Sequence, residues 1–198
     1  SGLSKNEYPA TQYGKSGNFE RYANDGIGSA SRIVELDGAR YTLGVLALAN
    51  HGRLEDLCIG GKSVGAKIAA HLESAPEQQQ DKGSCIVVMA TDLPLCARQL
   101  ERVVKRASVG LARLGSYIGH GSGEVFLGFS TTNRVPHESA RAVLPCTVLH
   151  EGRIDAVFRA MGEATEEAVL RAMLCADTVT GFDGSTKYTI RNFISQIY

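Results

Sequence analysis

Apolar residues recur along the chain at two spacings, every second residue in some segments and every third or fourth in others, which are typical of strands and helices respectively. Two strands are predicted within residues 31–49, around the turn Asp37-Gly38, and a short third strand at 54–59. A helix is expected from about residue 63 to residue 72. An almost continuous apolar run predicts a buried strand over residues 84–91.

The second half of the chain is predicted to contain both helices and strands. A long amphipathic helix, with Asp92 as its N-cap and Pro94 in its first turn, is expected to reach Leu114 and to carry its basic residues on a solvated outer face. The further predicted elements are a strand at 125–130, a loop with two prolines, helices at 154–161 and 166–176 separated by Gly162, and a hairpin around Asp183-Gly184. Grouped strands and paired helices predict an α+β fold in which helices cover sheets and the 84–91 strand is central.

Two polar stretches divide the chain. Residues 1–24 are rich in Ser, Gly, Asn and Tyr and have neither periodicity, which predicts a polar arm. Residues 73–83, with Pro76 and three consecutive glutamines, are the best candidate linker. We expect residues 25–198 to form a single domain.

The composition limits the classes of partner. A chain of 198 residues that is 43% hydrophobic can bury one sizeable core. Its 21 basic and 21 acidic residues balance, so no nucleic acid or anionic membrane is expected as a partner. Because no apolar run approaches the roughly 20 residues that span a bilayer and no signal-peptide pattern opens the chain, we expect a soluble, cytoplasmic protein.

The cysteines show no C-x-x-C pair or other metal-ligand spacing. They are Cys58, Cys85, Cys96, Cys146 and Cys175. Reduced thiols are therefore expected rather than disulfides or a zinc site. Cys85 competes with Ser84 as a candidate nucleophile if the chain is cut one bond later, although a small buried hydrophobe is the simpler interpretation of this residue.

Ser84 lies between the candidate linker and the buried strand. A chain that cuts itself at Gly83-Ser84 gives this serine a free α-amine, which titrates at about 7.7 to 8.0 and can take the proton from the serine hydroxyl. Gly83 suits such a cut because a residue without a Cβ tolerates strained backbone. The alternative interpretation is that Gly-Ser merely ends a loop.

A glycine-rich segment at 119–123 precedes the strand at 125–130. It lacks the Lys-Ser/Thr ending of a P-loop, and Ser122 is not in a Gly-x-Ser-x-Gly elbow. Ser122 and Glu124 are two residues apart at the entry to a strand, so they can face the same side and hydrogen-bond one polar partner, such as an N-terminal amine. The alternative is a tight turn with a surface carboxylate.

Asn50 follows an apolar strand, and its side-chain NH2 can stabilise an oxyanion, a contribution of about 3 to 4 kcal/mol in a transition state. The alternative is a turn asparagine before His51-Gly52. His51 and His120 are possible bases, but each has a glycine neighbour in a predicted turn, where histidines bonded to backbone or water are commoner.

Six segments, in order and at compatible spacing, closely resemble the DmpA-like family of self-processing L-aminopeptidase/D-esterase/amidases and β-peptidyl aminopeptidases. They are residues 26–32, 41–46, 49–52, 83–95, 110–113 and 121–127. The resemblance implies an αββα four-layer sandwich, autocleavage before a serine into α and β subunits that stay together, and no metal or organic cofactor. The linker at 73–83 would divide α, ending at Gly83, from β, starting at Ser84.

Carried residue by residue, the resemblance implies that Ser84 is the nucleophile, Ser122 and Glu124 hold and tune it, and Asn50 contacts the oxyanion. It also implies a peptide, aminoacyl amide or ester substrate and a homo-oligomer of α/β heterodimers. Family members carry a further segment before the matched region, which contributes to the first sheet and the substrate pocket, and this sequence starts too late to contain it.

Three functional hypotheses follow. The first is a self-cleaving serine aminopeptidase or amidase that forms an acyl-enzyme on Ser84. The second is a non-catalytic or assembly-dependent relative, which would be cut at Ser84 without turning over substrate. The third is an acyltransferase similar to the ornithine acetyltransferases, in which an amine rather than water resolves the acyl-enzyme; their nucleophile is threonine, so Ser84 favours hydrolysis.

Overall fold

The structure, a computed structural model, describes residues 26–71, 83–180 and 186–197. The predicted arm at 1–24 and all of the predicted linker except Gly83 lie outside the described residues. Within the described parts, no helix is both long enough and apolar enough to cross a membrane.

A four-stranded sheet forms the centre of the described structure. Its strands, in spatial order, are β1 (Ile27–Leu36), β2 (Ala39–Asn50), β5 (Ser84–Thr91) and β6 (Gly123–Ser130). The first three are antiparallel neighbours, whereas β6 runs parallel to β5. The strand that starts at Ser84 is therefore internal, as predicted.

The β1–β2 hairpin confirms the predicted turn. Asp37 and Gly38 have φ angles of 50° and 80°, the pair of left-handed conformations that a two-residue hairpin turn requires. The first strand starts at Ile27 rather than at residue 31. Small residues predominate at that end because the strand passes close to a helix: a Cβ on Gly28 would overlap the backbone of Ala168.

Helices cover one face of this sheet. The longest, α4 (Ile154–Cys175), packs on β1 and β2 and is one continuous helix, so the prediction of two helices separated by Gly162 is wrong. Gly162 is buried within α4 where α3 (Ala107–Arg113) packs against it. A Cβ on Gly110 of α3 would be only 2.6 Å from the carbonyl oxygen of Gly162. Both glycines are found where the two helix backbones approach closely, which outweighs the poor helix propensity of Gly162.

The predicted helix from Asp92 to Leu114 begins later and is interrupted. Asp92 instead accepts a hydrogen bond from the backbone N–H of Thr42 at 2.6 Å, and α2 (Ala97–Val104) begins after Cys96, whose N–H donates to Gln99 Oε1 at 3.2 Å. The α2 and α3 helices are separated at residues 105–106. Around this point backbone N–H groups bond to the carbonyl three residues earlier instead of the one four residues earlier.

The sequence predicts a solvated outer face for the basic residues of this helix, but in the structure several of them also contact other elements. Arg98 and Arg102 both form ion pairs with Glu151. Arg102 and Arg106 also lie over the Phe158 ring, at 5.3 and 4.0 Å from its centroid. These residues therefore attach α2, and the link between α2 and α3, to the segment before α4 and to α4 itself.

The remaining elements are short. Residues 54–56 form a 3₁₀ turn rather than the predicted strand. The elements after it are β3 (Cys58–Ile59), β4 (Lys62–Ser63), α1 (Gly65–His71), β7 (Val179–Thr180), β8 (Thr186–Lys187) and α5 (Ile194–Ile197), with further 3₁₀ turns at 151–153 and 190–193. The antiparallel pair of β7 and β8 agrees with the predicted hairpin, whose turn lies outside the described residues.

The second face of the sheet is apolar and open to solvent. Seven large side chains on it are 40% to 54% exposed: Ile27, Ile33, Leu46, Ile86, Val125, Leu127 and Phe129. No described element covers them. The described residues thus supply one helix layer and one sheet of an α+β fold, the half of an αββα sandwich that ends in an apolar sheet face.

Candidate active site

Three strand ends bring the predicted site residues into one row. Ser84 begins β5 and is paired in register with Asn50, the last residue of β2, on one side. On its other side Ser84 is paired with Gly123, the first residue of β6. Because paired residues on neighbouring strands are about 5 Å apart, Asn50, Ser84 and the 122–124 segment are neighbours although they are far apart in sequence.

Successive side chains of β5 point to opposite faces of the sheet, so those of its first two residues lie on different faces. Ser84 is exposed on the open face, in line with Ile86, whereas Cys85 is buried beneath the helices with 1% of its surface exposed. The thiol of Cys85 is therefore part of the core. The interpretation of Cys85 as a small buried hydrophobe is confirmed.

Ser122 and Glu124 form a hydrogen-bonded pair beside this row. The Ser122 hydroxyl donates to Oε1 of Glu124 at 2.5 Å, and both residues are half-buried. The two-residue spacing of Ser122 and Glu124 predicted that their side chains lie on the same side of the chain. Glu124 is paired in register with Cys85, whose side chain faces the helices. The Ser122–Glu124 pair therefore approaches the start of β5 from the helix side, while the Ser84 side chain lies on the open face.

The carbonyl oxygen of Gly83 is bonded to the same segment. The backbone N–H of Gly123 donates to Gly83 O at 3.1 Å, and Gly83 is buried. This is the carbonyl of the peptide bond that the sequence predicts is cut. The Gly123 contact could not be predicted from the sequence because no local pattern reveals which strand pairs with β5 or in what register.

The segment that leads to Ser122 has an uncommon backbone. Ile118 has a φ of 51°, which is unfavourable for a β-branched residue, and its N–H donates to Ser116 Oγ at 3.3 Å. Gly115 has a φ of 94°, and a Cβ there would overlap the carbonyl oxygen of Asp56. Ser122 itself closes a turn, since its N–H donates to Gly119 O at 2.9 Å. Strain of this kind concentrates at functional sites.

The two candidate histidines differ in access. His51, directly after Asn50, is fully buried, and His120 is exposed in the turn before Ser122. A fully buried imidazole has no direct contact with a substrate on the open face. Among the described residues no group of three or more His, Cys, Asp or Glu side chains is arranged to hold a metal ion.

Comparison with known proteins gives consistent results. A sequence profile of peptidase family S58 matches residues 17–187. The β-peptidyl aminopeptidase BapA of Sphingosinicella microcystinivorans is 37% identical over 174 residues, which are 81% of this chain and 43% of that protein.

Two solved structures share the fold. The PH0078 protein of Pyrococcus horikoshii OT3 has a TM-score of 0.77 and 40% identity, covering 91% of this chain and 52% of that one. The L-aminopeptidase D-Ala-esterase/amidase of Ochrobactrum anthropi, described as a variant of the Ntn hydrolase fold, has a TM-score of 0.75 and 35% identity, with coverage of 89% and 50%. The chain thus spans about half the length of these relatives.

Proposed function

The chain belongs to peptidase family S58, as its resemblance to the DmpA-like aminopeptidases predicted, and from this premise we propose that it is a self-cleaving serine aminopeptidase or amidase. It cuts its own Gly83-Ser84 bond and then releases N-terminal aminoacyl groups from peptides, amides or esters through an acyl-enzyme on Ser84. The observation that carries the proposal is the row of strand ends in which Ser84 lies between Asn50 and the Ser122–Glu124 pair.

Self-cleavage begins with an attack within the chain. The Ser84 Oγ bonds to the carbonyl carbon of Gly83 and gives up its proton, and the carbonyl oxygen becomes an oxyanion. When the tetrahedral centre collapses, the C–N bond breaks and the Ser84 nitrogen takes a proton, which leaves an ester between Gly83 and Ser84 Oγ. Water hydrolyses this ester to a Gly83 carboxylate and restores the hydroxyl of Ser84, now an N-terminal residue.

Turnover reuses the hydroxyl with a new base. The free α-amine of Ser84 accepts the hydroxyl proton as the oxygen attacks the substrate carbonyl, and it returns that proton to the leaving amine or alcohol. Glu124, with Ser122 bonded to it, offers a carboxylate that orients the amine. Asn50 donates its side-chain NH2 to the substrate oxyanion from the opposite side of β5.

The uncut backbone explains why this base is absent before cleavage. The Gly83 carbonyl is bonded to β6, and in a trans peptide the C=O and the following N–H point in opposite directions, so the Ser84 N–H is directed towards β2. An amide nitrogen in that plane has no basicity. After cleavage the nitrogen is a neutral amine with a lone pair and two hydrogens, one of which can reach the side of Glu124.

The substrate class is taken from the relatives and agrees with the position of Ser84. The relatives are named for β-peptidyl aminopeptidase activity and for L-aminopeptidase and D-Ala-esterase/amidase activity. An acyl group on Ser84 lies on the open, apolar face beside Ile86. Aminoacyl amides with both α- and β-amino groups are therefore the first substrates to examine.

The test compares the unaltered chain with Ser84→Ala and with a matched control, Ser31→Ala, which removes another exposed serine, from β1 of the same sheet. Intact mass and N-terminal sequencing should show a fragment beginning Ser-Cys-Ile-Val from the unaltered chain and from the control. Ser84→Ala should stay whole and release no product from aminoacyl amides. An alanine variant that is cut and active would refute the proposal.

A second candidate is favoured by the open apolar face together with the coverage of about half of each relative. In it, the chain is cut at Ser84 but needs a further part of the fold to bind substrate. Cleavage without turnover of any aminoacyl amide or ester would support this candidate. Faster product formation on addition of an amine acceptor would instead indicate acyl transfer.

A further inference from the structure

The backbone N–H of Gly123 donates a hydrogen bond to the oxygen of the peptide bond that is to be cut. We infer that this N–H is a catalytic group for self-cleavage, which stabilises the oxyanion that forms on Gly83 O. The inference rests on the proposed function and adds to it a residue with a role in processing.

The geometry is that of an oxyanion donor. The Gly123 nitrogen is 3.1 Å from Gly83 O, within the 2.7 to 3.1 Å or so expected between a donor and a developing oxyanion. When Ser84 Oγ attacks, the electron pair of the C=O bond moves onto this oxygen. A hydrogen bond to a charged acceptor is about twice as strong as one to a neutral carbonyl, so the bond favours the transition state over the ground state.

The donor is held in place before the reaction. Gly123 begins a parallel ladder that runs from its pairing with Ser84 to the end of β5. The residues on either side of it are fixed as well, Ser122 by its bond to Gly119 O and Glu124 by its bond to Ser122. Gly83 is buried, and a fixed donor acts more strongly where water is excluded.

The structure thus separates the donors for two reactions. The Gly83 oxygen is directed to β6, whereas Asn50 lies on β2, across the strand. Processing therefore uses the Gly123 N–H, and substrate turnover uses Asn50. The competing explanation is that the Gly123 bond is only the first hydrogen bond of the sheet ladder, with no effect on the reaction rate.

An amide-to-ester replacement distinguishes the two explanations, because it removes one N–H and leaves the side chain unchanged. The native Cys96 and Cys146 allow residues 96–145 to be synthesised and ligated to the rest of the chain. One product carries the ester at Gly123. Its matched control carries the ester at Val125, two residues along the same strand and paired with Ile86, where a ladder donor is lost away from the cut.

Each full-length chain is refolded from denaturant, and cleavage is followed by intact mass. We expect the Gly123 ester to cut about 100-fold to 1,000-fold more slowly than the all-amide chain, and the Val125 ester to cut at nearly the all-amide rate. Circular dichroism and the urea midpoint of the two esters, measured in the Ser84→Ala background so that neither chain is cut, should agree, since each has lost one ladder bond.

Equal cleavage rates for the two esters would overturn the inference while leaving the proposed function intact. If the all-amide chain itself stays whole, the proposed function fails and the inference fails with it. If either ester does not fold alone, both are refolded in trimethylamine N-oxide, which favours the folded state, and the same two cleavage rates are compared. Equal rates would overturn the inference, and a slower Gly123 ester would support it.

Discussion

Three glycines of the sheet allow a graded test of how tightly the helices hold the strands that carry the site. A Cβ on Gly28 would be 2.6 Å from the backbone nitrogen of Ala172 and would overlap the carbonyl oxygen of Ala168. A Cβ on Gly128 would overlap Cγ1 of Val104 and would be 3.0 Å from the flexible end of Met89. A Cβ on Gly44 would meet only one atom, a backbone oxygen at the ordinary contact distance of 3.8 Å.

The kind of obstacle sets the size of each effect. Helix backbone cannot move away without disturbing α4, so Gly28→Ala should cost about 3 kcal/mol or more of unfolding free energy. Gly128→Ala should cost about 1 to 3 kcal/mol, because the obstacles are side chains rather than backbone, although Val104 has one preferred rotamer in a helix. Gly44→Ala should stay within about 0.5 kcal/mol of the parent, since it adds no clash.

The measurement is thermal and urea unfolding in the Ser84→Ala background, where no cut of the chain complicates the transition. For a chain of this size about 1 kcal/mol corresponds to 2 to 4 °C, so Gly28→Ala should lower the midpoint by roughly 6 to 12 °C. Gly44→Ala controls for the general effect of alanine in a strand. If Gly28→Ala and Gly44→Ala differ by less than about 1 kcal/mol, β1 does not approach α4 as closely as described.

Three further predictions concern the site and the acid range. Asn50→Ala should lower kcat for an aminoacyl amide by about 100-fold to 1,000-fold in a steady-state assay, while mass spectrometry still shows the cut chain. Cys85→Ala should leave the position of the cut unchanged in N-terminal sequencing, since the thiol is buried. Glu167 accepts a hydrogen bond from Arg32 at 2.6 Å and pairs with Arg171, and these contacts hold its pKa below the usual 4.5. Because its folded pKa is lower than its unfolded pKa, its contribution to stability is present above about pH 4.5 and is lost as the pH falls, so Glu167→Gln should flatten the stability profile between about pH 5 and pH 3 in urea unfolding.

Local patterns were sufficient to predict elements whose signals are themselves local. The Asp37-Gly38 turn specifies the hairpin because both residues tolerate the backbone angles that such a turn needs. The apolar run after Ser84 predicted an internal strand because both of its faces carry apolar residues. The spacing of two between Ser122 and Glu124 predicted their shared side for the same reason, since strand side chains alternate.

The wrong predictions depend on contacts between distant residues. Asp92 is a good N-cap by residue type, but its carboxylate is used by the N–H of Thr42, which is 50 positions away. Glycine is typical of a helix end, yet Gly162 lies inside α4, where Gly110 of α3 packs closely against it. The Gly123 contact to Gly83 belongs to the same class, since it depends on how β5 and β6 pair.

The register that aligns the site is determined by the buried face of the sheet. Leu43, Val45, Ala47 and Ala49 of β2 and Cys85, Val87 and Met89 of β5 are all within 3% of complete burial beneath the helices. Shifting one strand by a single residue would exchange the residues on its two faces and replace this closely packed set. For β5 such a shift would direct Ser84 into the core and Cys85 to the open face.

The choice of serine over cysteine at the proposed cut is therefore a consequence of packing as well as of chemistry. The core residues that follow Cys85 hold β5 in the one register that aligns Ser84 with Asn50 and Gly123. That same register brings the N–H of Gly123 to the oxygen of Gly83. A substitution that loosens the helix face, such as Gly28→Ala, should for this reason slow self-cleavage even though Gly28 lies on β1, which does not touch β5 in the sheet order.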